Sequence, residues 1–130
     1  MRSVCAILLA GFVFAASAAH AESAGDWYGE EYQACRDGNT HDIVMCLDKL
    51  VKKWDARVDT AYRKLVGMTA EKDRRAALEK SQAFWRKYRA ANCEWHDAGE
   101  GTIHRLEAGE CMRSLTAVRA LELEAEGETH

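Results

Sequence analysis

The chain of 130 residues contains no proline. Proline interrupts helices because its ring clashes with the preceding turn and it has no backbone N–H to donate, so no such interruption is present here. Between its glycines the sequence is rich in Ala, Leu, Lys, Arg and Glu, which have high helix propensity. The composition therefore predicts an all-α protein.

The sequence also lacks the motifs that carry most enzyme chemistry. It has no C-x-x-C motif, no phosphate-binding glycine loop and no recognisable serine–histidine arrangement. His41 and His96 lie beside cysteines in sequence, but not at the spacing of a zinc finger. We therefore expect no catalytic residue, no metal site and no cofactor, and we interpret the chain as a binding protein and not an enzyme.

Only one long apolar run is present, and it lies near residue 1. Arg2 precedes the run, and Ala19-His20-Ala21 after it has the small-x-small pattern of a signal-peptide cleavage site. We predict that residues 1–21 are a signal peptide and that residues 22–130 form a single domain. No later segment approaches the ~20 apolar residues of a membrane span, and Cys5 lies far from the predicted cut. We expect a periplasmic or secreted bacterial protein without a lipid anchor or an integral membrane segment.

Charge is unevenly distributed along the predicted mature chain. Residues 22–48 hold seven acids and one base, residues 49–97 hold seven acids and thirteen bases, and residues 98–130 hold seven acids and three bases. This acidic–basic–acidic order allows helices to lie side by side with partial charge complementarity. The total of 21 acids and 17 bases gives a net charge of −4. We expect no nucleic-acid partner, because such domains carry a large positive charge.

Four cysteines follow residue 21, and an even number in an exported chain of this size indicates disulfides. Four cysteines allow three pairings. We predict the pairing of sequence neighbours, Cys35 with Cys46 and Cys93 with Cys111, which closes two short loops. Each such loop is worth about 3 kcal/mol of stability, mainly because it restricts the unfolded chain.

Apolar residues at steps of three and four predict two long helices. The first has Thr40 as its N-cap and ends at Gly67, and the second is capped by Thr69 and ends near Gly99. The apolar stripe of the first helix consists of Leu47, Leu50, Val51, Trp54, Val58, Ala61, Tyr62 and Leu65. Short connections at the two glycines should make consecutive helices antiparallel neighbours.

The end of the sequence predicts a loop and a third helix. Three glycines between Ala98 and Gly109 indicate a long loop, and the pattern from about Glu110 to Glu126 indicates a helix. The expected fold is therefore all-α: a small antiparallel helical bundle of about three main helices, stapled by two disulfides.

Several polar and aromatic side chains lie on faces that must pack. Gln82, Trp85 and Arg89 share one face of the second predicted helix, and Thr116 and Arg119 share one face of the third. An unpaired buried polar group costs about 1–3 kcal/mol, so we predict a structural polar network between these helices. The alternative is a ligand site formed by Trp85 and the two arginines.

These same residues carry a family resemblance. The pattern Leu78-x-x-x-Gln82-x-x-Trp85-x-x-Tyr88-Arg89-x-x-x-Cys93 resembles the central signature of the LprI-like lysozyme inhibitor family. Cys111-x-x-x-Leu115-Thr116-x-x-Arg119-Ala120-x-x-Leu123 is similar to its C-terminal signature, and Gly-x-Gly-Thr at residues 99–102 is similar to the segment between them. Upstream, Cys35, Cys46, Asp55 and Tyr62 occupy positions like those of the family's first half.

The resemblance implies an exported helical domain with two disulfides that inhibits lysozyme, the muramidase that cuts peptidoglycan. Such an inhibitor must occupy a cleft whose floor carries two carboxylates. Thr102, His104 and Arg105 would offer hydrogen-bond donors from the predicted Gly99–Gly109 loop, which a Cys93–Cys111 disulfide would hold rigid. We predict these three residues as the partner-binding element.

The alternative function is a non-enzymatic periplasmic interaction or stress protein with a different protein partner. Trp27, Tyr28 and Tyr32 precede the first disulfide. They would form either an exposed aromatic patch for such a partner or a cover over one end of the helix bundle. A muramidase inhibition assay separates the two functions.

Overall fold

A computed structural model describes residues 28–129 of the chain. The predicted signal peptide, including Cys5, and Trp27 lie outside the described residues. All regular secondary structure within residues 28–129 is helical, which confirms the predicted fold class. The helices are α1 (Glu30–Ala34), α2 (Thr40–Met68), α3 (Lys72–Asp97) and α4 (Thr102–Glu128). No helix in this part of the chain is long and apolar enough to cross a membrane.

The caps of α2 and α3 differ from the two that the sequence predicted. Asn39, not Thr40, caps α2: its side-chain oxygen accepts the backbone N–H of Asp42 at 3.1 Å. Thr69 ends α2 and does not cap α3, because its backbone N–H and hydroxyl both donate to the Leu65 carbonyl, at 3.0 and 2.7 Å. Both threonines were therefore assigned to the wrong position of the cap.

The central element of the bundle is α4, which packs against both α2 and α3, whereas α2 and α3 contact each other much less. The residues that contact each other along a pair of helices show whether the two helices are parallel or antiparallel. Gly109 and Gly127 of α4 face Leu47 and Lys64 of α2, so these two helices run parallel. The Cys93–Cys111 disulfide and the Gln82–Arg119 hydrogen bond show that α3 is antiparallel to α4.

The apolar core lies between α2 and α4. It consists of Trp54, Val58, Ala61 and Leu65 from α2 and Ala117, Ala120 and Leu123 from α4, with Leu78 and Trp85 of α3 packed against it. The small residues of α4 let the two parallel helices approach closely. In α3 only Gln82 and Cys93 are buried, so the opposite face of this helix is left at the surface.

Both predicted disulfides are present, and both lie at the end of the bundle where α2 and α4 begin and α3 ends. Cys35–Cys46 joins the end of α1 to α2, with a Cα–Cα distance of 5.4 Å, and Cys93–Cys111 joins α3 to α4, with a Cα–Cα distance of 5.5 Å. We call this region the disulfide end.

The segment before α2 is also held by aromatic packing. Tyr28 and Tyr32 form an edge-to-face pair, and the guanidinium of Arg113 lies 4.9 and 4.2 Å from their ring centroids. Arg113 is fully buried and its side chain donates to both carboxylate oxygens of Glu110, at 2.8 and 2.6 Å. Tyr32 is half-buried and covers Arg113 at this end of the bundle, whereas Tyr28 is 45% exposed, so the covering arrangement holds for Tyr32.

The predicted Gly99–Gly109 loop is wrong. The connection between α3 and α4 is four residues long, because α4 begins at Thr102 and not near Glu110. Gly109 lies inside α4, where an added Cβ would be 3.2 Å from Leu47 Cδ1 of α2. This glycine marks a close approach between two helices and not a break in one.

Candidate functional site

The candidate site is the α3–α4 turn, Ala98–Gly101, together with the first turn of α4, Thr102–Arg105. We call this segment the tip. It is exposed at the disulfide end, and the Cys93–Cys111 disulfide joins the two helices below it. Gly101 supplies the sharp entry into α4 with a φ of 94°, a conformation that favours glycine. The tip is thus a short turn anchored on two rigid helices.

The three residues predicted as the partner-binding element lie in the first turn of α4 and not in a loop. The structure leaves Thr102 and Arg105 exposed, while His104 is half-buried. The His104 ring packs on Gly99, where an added Cβ would come 2.3 Å from its atoms, and its Nδ1 lies 3.1 Å from Glu107 Oε2. His104 therefore shapes the tip from within, and Thr102 and Arg105 present their polar groups to solvent.

Arg105 also lines a groove of about 480 Å³ between α2, α3 and α4. Its acidic lining residues are Asp48, Glu94 and Asp97, and its floor is formed by small and apolar residues, among them Cys93 and Gly109. The groove therefore carries one arginine against three carboxylates, of which Asp48 is paired with Lys52 at 2.6 Å.

The whole disulfide end shares this acidity. Residues 94–110, which include the tip, hold five carboxylates and one arginine. Asp37 and Asp42 lie at or just before the start of α2, which belongs to the same end because α2 and α4 run parallel. A concentrated negative field of this kind favours encounters with a basic partner.

The five residues predicted to form a polar network lie together between the helices. Arg89 Nη1 donates to Thr116 Oγ1 at 2.7 Å, and Arg119 Nε donates to Gln82 Oε1 at 3.0 Å. Both guanidinium groups lie over the Trp85 ring, 4.7 and 5.9 Å from its centroid. The guanidinium groups of both arginines donate to side chains of the same chain. These residues therefore form a polar network that packs the helices together.

Three residues with polar contacts between or along the helices were not in the predicted set. Asp55 of α2 accepts a 2.7 Å hydrogen bond from Arg89 Nη1, so the network reaches all three long helices. Arg113 and Glu110 form a partly buried ion pair, three residues apart on one face of α4. That spacing was a usable signal, since residues three apart on a helix are neighbours. No local pattern pointed to the pairing of Asp55 with Arg89, 34 residues away in sequence.

The fold and its geometry define a class: a small helical domain with two disulfides at one end and an exposed tip with acidic residues on either side. The chain matches the family of the lysozyme inhibitor LprI over residues 15–123. It therefore belongs to the LprI lysozyme inhibitor family, as the spaced motifs of α3 and α4 indicated. No curated protein and no solved structure matches the chain.

Proposed function

We propose that this protein inhibits lysozyme by placing its tip in the substrate cleft of the enzyme. Membership of a family of lysozyme inhibitors is the observation that carries this proposal. The tip is the element best suited to a cleft, because it is a narrow turn between two helix ends. We also propose that residues 1–21 direct export, which agrees with two disulfides of the kind formed in oxidising compartments.

The chemistry of the tip suits a cleft whose floor carries two carboxylates. Thr102 offers a hydroxyl and Arg105 a guanidinium, and both are exposed. The N-cap of α4 is Gly101, which has no side chain to accept the backbone N–H groups of the first turn. Hydrogen-bond donors are therefore concentrated at the one place that would meet carboxylate oxygens.

The rigidity of the tip supports the same function. The Cys93–Cys111 disulfide fixes the two helices that flank the tip, and the packing of His104 on Gly99 fixes the turn itself. A preorganised element loses little conformational entropy when it binds, so more of its contact energy appears as affinity.

The charge of the disulfide end supports the encounter step. Five carboxylates and one arginine in residues 94–110 give a field that attracts a basic lysozyme. In this arrangement the acidic surroundings of the tip contact the basic surface of the enzyme, and the donors of the tip enter its cleft.

The proposal is tested with the oxidised chain of residues 22–130 and the double variant Thr102→Ala/Arg105→Ala. Its matched control is Thr60→Ala/Arg63→Ala, which removes the same two side-chain types from exposed positions on α2. Loss of central contacts should weaken inhibition of muramidase by at least about tenfold in the tip variant, and the control should inhibit like the wild type. Equal inhibition by both variants, with circular dichroism unchanged, would remove the tip from the mechanism.

A further inference from the structure

The outer face of α3 carries a row of exposed residues that the proposed inhibition does not use. Phe84, Tyr88 and Trp95 are 59%, 55% and 73% exposed. Small exposed residues continue the row on the same face. We call the full set the outer seam: Ala77, Ser81, Phe84, Tyr88, Ala91 and Trp95. Large aromatic side chains left at the surface in a line are typical of an interaction site.

The spacing of the outer seam is that of a coiled coil. Its members follow one another at steps of four, three, four, three and four residues, so every second member lies seven residues further along the helix. This is the repeat of the a and d positions through which one helix packs against another. The buried residues of α3, Gln82 and Cys93, lie on a different face, and no seam residue belongs to the apolar core of residues 28–129. The ring contacts of the seam are local ones on α3, with Trp95 beside His96 and the Lys80 and Lys87 ammonium groups over Phe84.

The order of the steps along the seam is the same in both directions of the helix. Two copies of α3 laid antiparallel, with a two-fold axis midway between Phe84 and Tyr88, therefore bring every member of the seam opposite another. Phe84 then faces Tyr88 of the second copy, and Trp95 faces Ala77 of the second copy, so the largest side chain meets one of the smallest. Alternating large and small residues is how facing helices interdigitate.

The charges beside the seam fit this register. Lys80, Lys87 and Glu94 are seven residues apart and lie along one edge of the seam. Antiparallel pairing places Lys80 near Glu94 of the second copy, and the two-fold axis repeats this pair. Lys87 lies near the axis, and its flexible side chain can extend into solvent. The lysines also make this face a poor match for a basic lysozyme.

We propose that the outer seam of α3 docks a second copy of this chain to form an antiparallel, two-fold symmetric dimer. One helix pair buries an area at the low end of specific interfaces, below about 1,200 Å². The dimer is therefore weak and forms as concentration rises.

Sedimentation of the oxidised residue 22–130 chain from ~1 μM to ~1 mM tests the proposal. The wild type should pass from the mass of one chain toward that of two across this range. Phe84→Glu places a charge in the centre of the seam and should keep the mass of one chain throughout. The control Val118→Glu, at an exposed position of α4 with 44% exposure, should associate like the wild type. Circular dichroism checks that each variant is folded.

A charge swap tests the register. Lys80→Glu and Glu94→Lys should each weaken association by about tenfold. The two-fold axis creates two pairs between positions 80 and 94, and either substitution turns both into pairs of like charge. The double variant Lys80→Glu/Glu94→Lys should restore association. A single-chain mass at every wild-type concentration, or a dimer unaffected by Phe84→Glu, would overturn the proposal. A monomeric wild type in which Phe84→Glu abolishes muramidase inhibition would assign the seam to lysozyme instead.

Discussion

The imidazole of His104 occupies the space into which a side chain at Gly99 would project. A Cβ added at Gly99 would lie 2.3 Å from three atoms of the ring, well inside van der Waals contact. Gly99 lies in the α3–α4 turn and His104 in the first turn of α4, so this contact fixes how α4 leaves the turn. The shape of the tip therefore depends on the absence of one carbon atom.

Gly99→Ala should destabilise the protein by about 1–3 kcal/mol, because the ring must move away from the added methyl group. The matched control is Gly67→Ala in the last turn of α2, where an added Cβ meets nothing within 4 Å. That substitution should stabilise the protein by up to about 1 kcal/mol, since alanine favours helix over glycine. Urea unfolding followed by circular dichroism measures both values.

A double-mutant cycle assigns the Gly99→Ala effect to His104. In a His104→Ala background the added methyl group has room, so Gly99→Ala should cost close to nothing. If Gly99→Ala destabilises the protein equally with and without the imidazole, the packing explanation is wrong.

Arg89→Leu should destabilise the protein by about 2–4 kcal/mol. Arg89 Nη1 serves both Asp55 and Thr116, and its loss leaves a partly buried carboxylate of α2 without its cation. Arg86→Leu is the matched control, because Arg86 joins α3 to Asp59 of α2 through a pair that is 45% and 50% exposed. An exposed pair of this kind is worth less than about 1 kcal/mol. Similar losses in the two variants would contradict the account of the polar network.

Removing each disulfide in turn should show that both stabilise the fold and that only one affects inhibition. The loops closed by Cys35–Cys46 and Cys93–Cys111 span 11 and 18 residues. Replacement of either pair by alanine should cost about 3 kcal/mol. Only the loss of Cys93–Cys111, which flanks the tip, should also weaken inhibition by folded protein. Unfolding and muramidase assays on both double variants check this, and equal inhibition by the two folded variants would contradict the role given to the tip.

The long helices could be predicted because their signal is local. The apolar stripe of α2, from Leu47 to Leu65, repeats at the helical period, and each predicted end lies one residue from the cap or end that the structure shows for Thr40–Met68. The local pairing of the cysteines was also predictable, since each pair lies close in sequence. The packing partners of Gln82 and Arg119 could be expected from their places on helix faces that must meet.

The start of α4 could not be predicted because its signal is tertiary. Gly109 has low helix propensity, and with Gly99 and Gly101 it gave the pattern of a loop. In the structure the close approach of Leu47 occupies the space beside Gly109. This contact between residues 62 positions apart is not visible in the local pattern. Because of this error, Thr102, His104 and Arg105 were predicted in a loop, whereas they lie in the first turn of α4.

The most direct test of the central claim is the mode of inhibition of lysozyme by the oxidised chain of residues 22–130. Initial rates on a soluble oligosaccharide substrate are measured at several substrate and inhibitor concentrations, with chicken-type and goose-type enzymes. Occupation of the cleft predicts that the inhibitor raises KM and leaves kcat unchanged for at least one enzyme. No inhibition of either enzyme at ~10 μM, or a fall in kcat with KM unchanged, would contradict the account.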